Sequence, residues 1–407
     1  MKRLKKQVKG ITLVALVVTI IVLLILAGVA LNFTLGEDGI FKRAGEGTKT
    51  YQNASENEKI ELDKVINYID DYNNGINKQD EEEKLSEVEE AIKNGIVYKE
   101  NTTIYDKYNN PVKVPQGFKL AEDSGTDVTK GIVMEDVEAG DEISKGNQYV
   151  WVPIGDVKTN TEGAITTINL GRYSFDARYN SDTQQIEGTG TATMKQSADN
   201  YTEIVEIGNE HNKLFSERTS SQYGETVDKN LEDFITKAKT AGGYYIGRYE
   251  AGKVEGNTNT FNIKKGQIVY NYIIQSNAAN LARNLYSNNN NFESDLINSY
   301  AYDTAIVFIQ TFSGDTDYSK QIKLQETLTT TGNAHDEENN YDVRCNIYDI
   351  SGNVNEWSTE TSTNSNSPCT DRGGAYTVIN YYTAYRDTDI TSGSYATLGF
   401  RSIMYVK

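Results

Sequence analysis

Tyr348-Asp349-Ile350-Ser351-Gly352-Asn353-Val354-Asn355-Glu356-Trp357 is the stretch from which the main domain can be read. Glycine and asparagine allow a tight turn, and Trp357 supplies a large side chain for a core. Working outward, Arg372-Gly373-Gly374-Ala375 and Leu398-Gly399-Phe400-Arg401 again join glycine to a bulky or cationic anchor. Tyr244-Tyr245-Ile246-Gly247-Arg248-Tyr249-Glu250 lies about a hundred residues upstream and reads as a strand. Gly352, Gly373, Gly374 and Gly399 predict tight turns in an irregular, loop-rich fold. Trp357 and Phe400 are expected in the core. Arg372 and Arg401 are expected to donate to backbone carbonyls or buried acids.

In that order the four segments resemble the formylglycine-generating-enzyme (sulfatase-modifying) family, a variant of the C-type lectin fold. The resemblance spans residues 110–407 and is clearest after residue 340. It implies a calcium position at Asn353 and Glu356; the alternative there is a turn-stabilising asparagine and a buried ion pair. It does not carry the chemistry. The family's oxidase holds copper through two cysteines after the RGG segment, and those positions here are Val378 and Thr383. A sulfur-oxidising relative uses three histidines, whereas this chain has two, His211 and His335, 124 positions apart. No GxSxG elbow, HExxH helix or P-loop occurs. In relatives of this fold, the stretch between Arg372 and Arg401 forms the ligand face, and some such proteins are diversified there by a retroelement. Here that stretch is dense in Tyr, Asn, Asp, Ser and Thr, the composition of an adaptable recognition surface. Tyr376, Asn380, Tyr381, Tyr382, Tyr385, Asp387, Asp389 and Tyr395 are the expected ligand contacts; the alternative is a solvated loop.

The fold class expected for the whole is α+β. From residue 96 on, short runs of Val, Ile, Tyr and Thr alternate with Gly, Asn and Asp turns, as in Gln148–Pro153 and Gly243–Gly247. Helical stretches are expected at 231–241 and 299–311, and no repeat of 20–50 residues is present. The 28 tyrosines against 11 Phe suit strands first and a binding face second. Two cysteines cannot make a zinc module. Outside the cell a Cys345–Cys369 disulfide would close a loop of about 25 residues, worth on the order of 3 kcal/mol; in a reducing setting the two stay thiols.

At the other end, residues 1–10 read MKRLKKQVKG, with five basic residues and no acid, and residues 11–35 carry no charge. As a helix the second segment would be about 37 Å long, enough to cross a bilayer core. The basic flank should stay cytoplasmic, which puts everything after residue 36 outside. A cleaved signal peptide, with Gly28-Val29-Ala30 as cut site, and a plain membrane anchor are the rivals. Lys9-Gly10-Ile11-Thr12-Leu13-Val14 resembles the type IV prepilin junction. That resemblance implies cleavage after Gly10, N-methylation of Ile11 by a prepilin peptidase, and packing with other pilin subunits. The family's Glu at the fifth mature position is Ala15 here, which fits a minor or tip subunit better than the main repeating pilin.

The expected organisation is a leader at 1–10, an apolar pilin helix at 11–35, a helical stalk at 36–95 and a binding domain at 96–407. Within the stalk, 58–72 and 80–94 show helical periodicity, the latter ending at Gly95. Removing the leader's +5 from the net charge of −18 leaves −23 on the rest, which repels phosphate backbones and disfavours nucleic-acid binding. The expected function is non-enzymatic binding of an extracellular protein or carbohydrate by a cell-surface, pilin-like protein. A structural pseudopilin of a secretion or DNA-uptake system is the alternative. Calcium is the one cofactor considered.

Overall fold

The computed structural model describes residues 85–217, 230–335 and 340–407. The leader, Gly10, Ile11, the apolar segment and the first stalk helix lie outside the described residues. Among the described residues, no helix is long and apolar enough to cross a membrane.

The described residues are mostly β, with four helices: α1 (Glu87–Asn94), α2 (Leu231–Ala241), α3 (Gln275–Asn284) and α4 (Ser299–Phe312). Twelve strands build two main sheets. In chain order they are β1 (Phe118–Leu120), β2 (Ile132–Asp136), β3 (Gln148–Pro153), β4 (Ile207–Gly208), β5 (Leu214–Ser216), β6 (Gly243–Gly247), β7 (Phe292–Leu296), β8 (Asn355–Ser362), β9 (Cys369–Arg372), β10 (Arg386–Asp389), β11 (Leu398–Phe400) and β12 (Ser402–Val406). The first sheet runs β7-β12-β6-β3-β2-β1, all antiparallel. The second runs β4-β5-β8-β9-β10, and β11 adds to β8 in parallel.

Strand periodicity sorts the first sheet's side chains. Tyr149, Trp151, Tyr245 and Met404 point to one core, Val150, Val152, Tyr244, Ile246 and Ile403 to the other. Alanines of α3 and Val88 and Ala91 of α1 join the first core; Phe234 and Ile235 of α2 and the apolar face of α4 join the second. Because both faces are covered, β6 is buried throughout, and its Gly-Tyr-Tyr-Ile-Gly does not alternate in polarity. The helix expected at 80–94 is seen as α1, started by a Ser86/Glu89 capping box and ended by Gly95 in the left-handed region (φ 58°). It belongs to the compact unit that begins at Leu85, not to a separate stalk, since Val88 and Ala91 are buried in that unit's core.

The opening stretch is seated as its residues suggest. Trp357 is fully buried and its indole N–H donates to the Ile273 carbonyl at 2.8 Å. Phe400 packs edge-on against Phe261, with ring centroids 4.9 Å apart. Arg401 donates to the carbonyls of Gly247 and Tyr348 and to Glu356, each at 2.8 Å. Gly373 has φ 85°, and a Cβ there would lie 2.5 Å from the Tyr302 hydroxyl and 2.8 Å from the Ile350 carbonyl, so this turn requires glycine.

One expectation is corrected. Cys345 and Cys369 are not joined. The Cys345 thiol donates to the Thr129 carbonyl at 3.5 Å, from a turn where its own backbone is left-handed (φ 47°), while Cys369 opens β9 in the second sheet. Burial pushes the Cys345 thiol up to about 12. At the family's calcium position, Asn353 and Glu356 have separate partners. Asn353 donates to Glu250 at 2.6 Å and accepts from Thr329, and Glu356 pairs with Arg401. These are the contacts of the turn-and-ion-pair alternative, while the second Glu356 oxygen, Oε2, is buried without a hydrogen-bond partner among the described residues. Among the described residues no group of His, Cys, Asp or Glu converges as a metal site.

Candidate functional site

The stretch after Arg372 is built around a ribbon, β9 and β10, that the sequence reading above did not anticipate. Its register sets Arg372 opposite Arg386, Asp371 opposite Asp387, and Cys369 opposite Asp389. Successive residues face opposite sides of a sheet, so the two arginines share one face and the aspartates the other.

The arginine face is interior. Arg372 donates to Asp303 at 2.6 Å, to Glu360 at 3.4 Å and to the Tyr385 carbonyl at 3.1 Å. Arg386 donates to both Glu360 oxygens, at 3.0 and 3.2 Å, and to Asp303 at 2.5 Å. Arg172 reaches Glu360 at 2.5 Å and spends its other donors on Ser299, Gln196 and the carbonyls of Val205 and Phe215. The Tyr302 ring closes over Arg372, 4.4 Å from centroid to guanidinium. Burial would raise the Glu360 carboxyl, but Arg386, Arg172 and Arg372 together hold it down at about 2. All these charges are paired, so the frame is rigid where the chain enters and leaves the loop between β9 and β10.

The aspartate face opens outward. Lys213 of the β4–β5 hairpin and the Tyr381 hydroxyl both bond Asp387. The Tyr395 hydroxyl reaches Asp389 at 3.4 Å. Tyr381 stacks on Tyr385, with centroids 4.6 Å apart, and the Tyr385 hydroxyl lies 3.5 Å from His211 Nδ1. Asp371 is only 6% exposed and lies between Trp357 on β8 and Asp387 on β10. Burial pushes its carboxyl well above the usual range, reinforced by the charges of Asp387 and Asp389.

The eight expected contacts do not form one patch. Tyr382 and Tyr385 are buried in the core, a correction to their assignment as ligand contacts. The Tyr382 hydroxyl donates to Glu210 at 2.7 Å and to the Ala177 carbonyl at 2.9 Å, so it is satisfied inside. Tyr381, Asp387, Asp389 and Tyr395 are brought together on the aspartate face. Tyr376 lines a separate open hollow of about 680 Å³ with Leu324, Gln325, Thr329 and His335. Asn380 is half-buried in the turn between the two.

Sequence reasoning missed Asp371, Lys213 and Tyr272. Asp371 is one residue before the framework arginine, and the mirrored pairs Asp371-Arg372 and Arg386-Asp387 were a readable sign of a paired ribbon. Lys213 arrives from 174 positions away, and nothing in its own segment announces it. Tyr272 is 64% exposed in the left-handed region (φ 56°) and lines a groove of about 1250 Å³ with Asn257, Asn271, Asn277 and Ser394. Its backbone N–H donates to the Tyr395 carbonyl, which joins this groove to the aspartate face.

No protein-family profile and no curated protein matches this chain. Among solved structures, the crystal structure of CarF aligns with a TM-score of 0.30 and 12% identity over 63% of this chain and 99% of that one. The M1 variant of Major Tropism Determinant gives 0.30 and 12% over 76% and 82%, and Treponema denticola variable protein 1 gives 0.24 and 12% over 65% and 97%. At these scores the correspondence is loose, and the functional reading rests on this chain's own residues.

Proposed function

We propose that this chain is a surface-displayed, non-enzymatic ligand-binding protein, in which a C-type-lectin-like scaffold presents the loop after Arg372 to an extracellular protein or carbohydrate. One observation carries the reading. A fully paired interior frame of Arg172, Arg372, Arg386, Asp303 and Glu360 holds a loop whose Tyr381, Asp387, Asp389 and Tyr395 gather on the outward face. Such a rigid frame carrying amphipathic aromatics and carboxylates lowers the ordering cost of binding. Display outside the membrane follows from the basic leader and uncharged segment, with prepilin-type processing at Gly10 and Ile11 and filament packing as the finer expectation.

The test is a screen of the full-length protein on defined glycan and peptide arrays, repeated with Tyr376→Ala, Asn380→Ala and Tyr395→Ala combined. The expected result is a saturable hit that the triple variant weakens by about tenfold or more while its melting temperature stays within a few degrees. A hit the triple variant binds unchanged would place recognition elsewhere. The N-terminal residue of the mature protein from its host tests the display route: N-methylated Ile11 is expected, and an intact Met1 would remove prepilin processing.

A further inference from the structure

Two like charges set directly opposite each other on an antiparallel pair destabilise it, and β9–β10 does this with Asp371 and Asp387. Asp389, two residues along the same face, adds a third carboxylate. The compensation built into the fold is uneven. Asp387 receives Lys213, the Tyr381 hydroxyl and the Thr388 N–H, and Asp389 receives the Ile390 N–H and the Tyr395 hydroxyl. Asp371, 6% exposed, has its own backbone N–H and the charge of Lys213 in its favour, but no side chain among the described residues donates to it. Three carboxylates share this face with one lysine, so a further hydrogen-donating cation would be bound where Asp371 has no side-chain donor.

The surroundings define what would fit. Asp387 is 17% exposed and Lys213 36%, so the mouth of the cluster is open. Tyr395, 48% exposed, stands beside Asp389, and Tyr381 beside Asp387. Carboxylates bordered by phenol rings suit a cation with several N–H donors on an apolar stem: the head bonds the acids and the stem lies against the rings. Among the described residues no three His, Cys, Asp or Glu side chains are close enough to hold a metal ion together, and the wider spacing of these carboxylates suits a larger organic cation.

We propose that the aspartate face takes a cationic side chain of a protein partner, an arginine or lysine inserted between Asp371, Asp387 and Asp389. The inference rests on the recognition reading above and specifies its ligand.

The experiment is calorimetric titration of the full-length protein with tetra-arginine and with its neutral isostere tetracitrulline. Four proteins are compared: wild type, Asp371→Asn, Asp389→Asn and Glu162→Gln. The last removes the same charge from an exposed turn remote in sequence from the ribbon. Saturable binding of tetra-arginine by wild type is expected, about tenfold weaker or more in either aspartate variant, unchanged in Glu162→Gln, and absent for tetracitrulline. Asp389 is only partly buried, so Asp389→Asn keeps the test decisive if Asp371→Asn fails to fold. Equal weakening by Glu162→Gln would mean diffuse attraction to an acidic surface and overturn the proposal, as would the absence of saturable binding. Calcium chloride binding that is lost in the aspartate variants, with no tetra-arginine binding, would make the face a metal site and also overturn it. An array ligand lost in the Tyr376/Asn380/Tyr395 variant but held by Asp389→Asn would sink this inference and leave the recognition reading standing.

Discussion

Arg372 faces Arg386 across the β9–β10 ribbon just as Asp371 faces Asp387 one residue along, yet the two like-charge pairs meet opposite fates. The arginines find Asp303 and Glu360 and are buried with every charge answered. The aspartates find one lysine, which bonds Asp387, and burial with the charges of Asp387 and Asp389 raises the Asp371 carboxyl despite Lys213 and its own backbone N–H. The same backbone register thus makes one face a structural clamp and leaves the other poised for an outside partner. The difference lies in what other segments bring to each face. Helix α4 and strand β8 bring acids to the arginines, whereas the β4–β5 hairpin brings only Lys213 to the aspartates.

The largest effect should come from breaking the clamp. Glu360 accepts from three arginines, and Glu360→Gln leaves Arg372 and Arg386 sharing Asp303 and Arg172 without an acid partner. Loss of one partner from a buried ion network costs about 3–5 kcal/mol, to be read as a lower urea midpoint. A loss below about 1 kcal/mol would show that the arginine face is no more constrained than the aspartate face.

The two faces should also respond oppositely to pH. Glu360 is held below its unfolded value, so its contribution is present above about pH 4.3 and fades as pH falls toward its folded value. Asp371 is held above its unfolded value, so its contribution is full below about pH 3.9 and is lost as pH rises through the folded value. Asp295, raised to about 7 by burial despite Arg283, acts in the same direction, and so does Asp349, raised by burial and by Asp342. The expected melting temperature is therefore highest between about pH 4.5 and 6 and lower at pH 3 and at pH 8. A melting temperature that climbs steadily to pH 8 would contradict the picture of an unrelieved acidic face.

How much of this could be read in the sequence follows from how local the cause was. The strand at Gln148–Pro153, helix α2, and the anchors Trp357, Phe400, Arg372 and Arg401 announce themselves by periodicity or by a bulky or cationic side chain beside glycine. Helix α3 does not. Gln275-Ser276-Asn277 opens it without a side-chain cap, and its buried side chains are mostly alanines. Strand β8, Asn-Glu-Trp-Ser-Thr-Glu-Thr-Ser, reads as a polar surface segment but is buried throughout. Its polar groups find partners in Arg372, Arg172, Glu217 and Gln275, all distant in sequence except the first. For the same reason Tyr382 and Tyr385 looked like loop contacts: the hydroxyl partners that let them sink into the core come from residues 177 and 210–211.

The smallest effect is the most discriminating. Asp371→Asn keeps the shape of the protonated acid and removes the charge it acquires when the proton leaves. Removing a directly opposed like charge should stabilise the ribbon by about 0.5–1 kcal/mol at pH 8, and by less as pH falls, because the raised Asp371 carboxyl takes up its proton before an ordinary one. Asp387, Asp389, Lys213 and the hydroxyls of Tyr381, Tyr385 and Tyr395 are the charged and titratable groups around it, and none of their side chains donates to Asp371. A variant that gains stability while losing tetra-arginine would show that the aspartate face is maintained against folding in favour of binding. A variant that loses stability at both pH values would mean that Asp371 is clamped inside the fold as firmly as Arg372, and the contrast between the two faces would collapse.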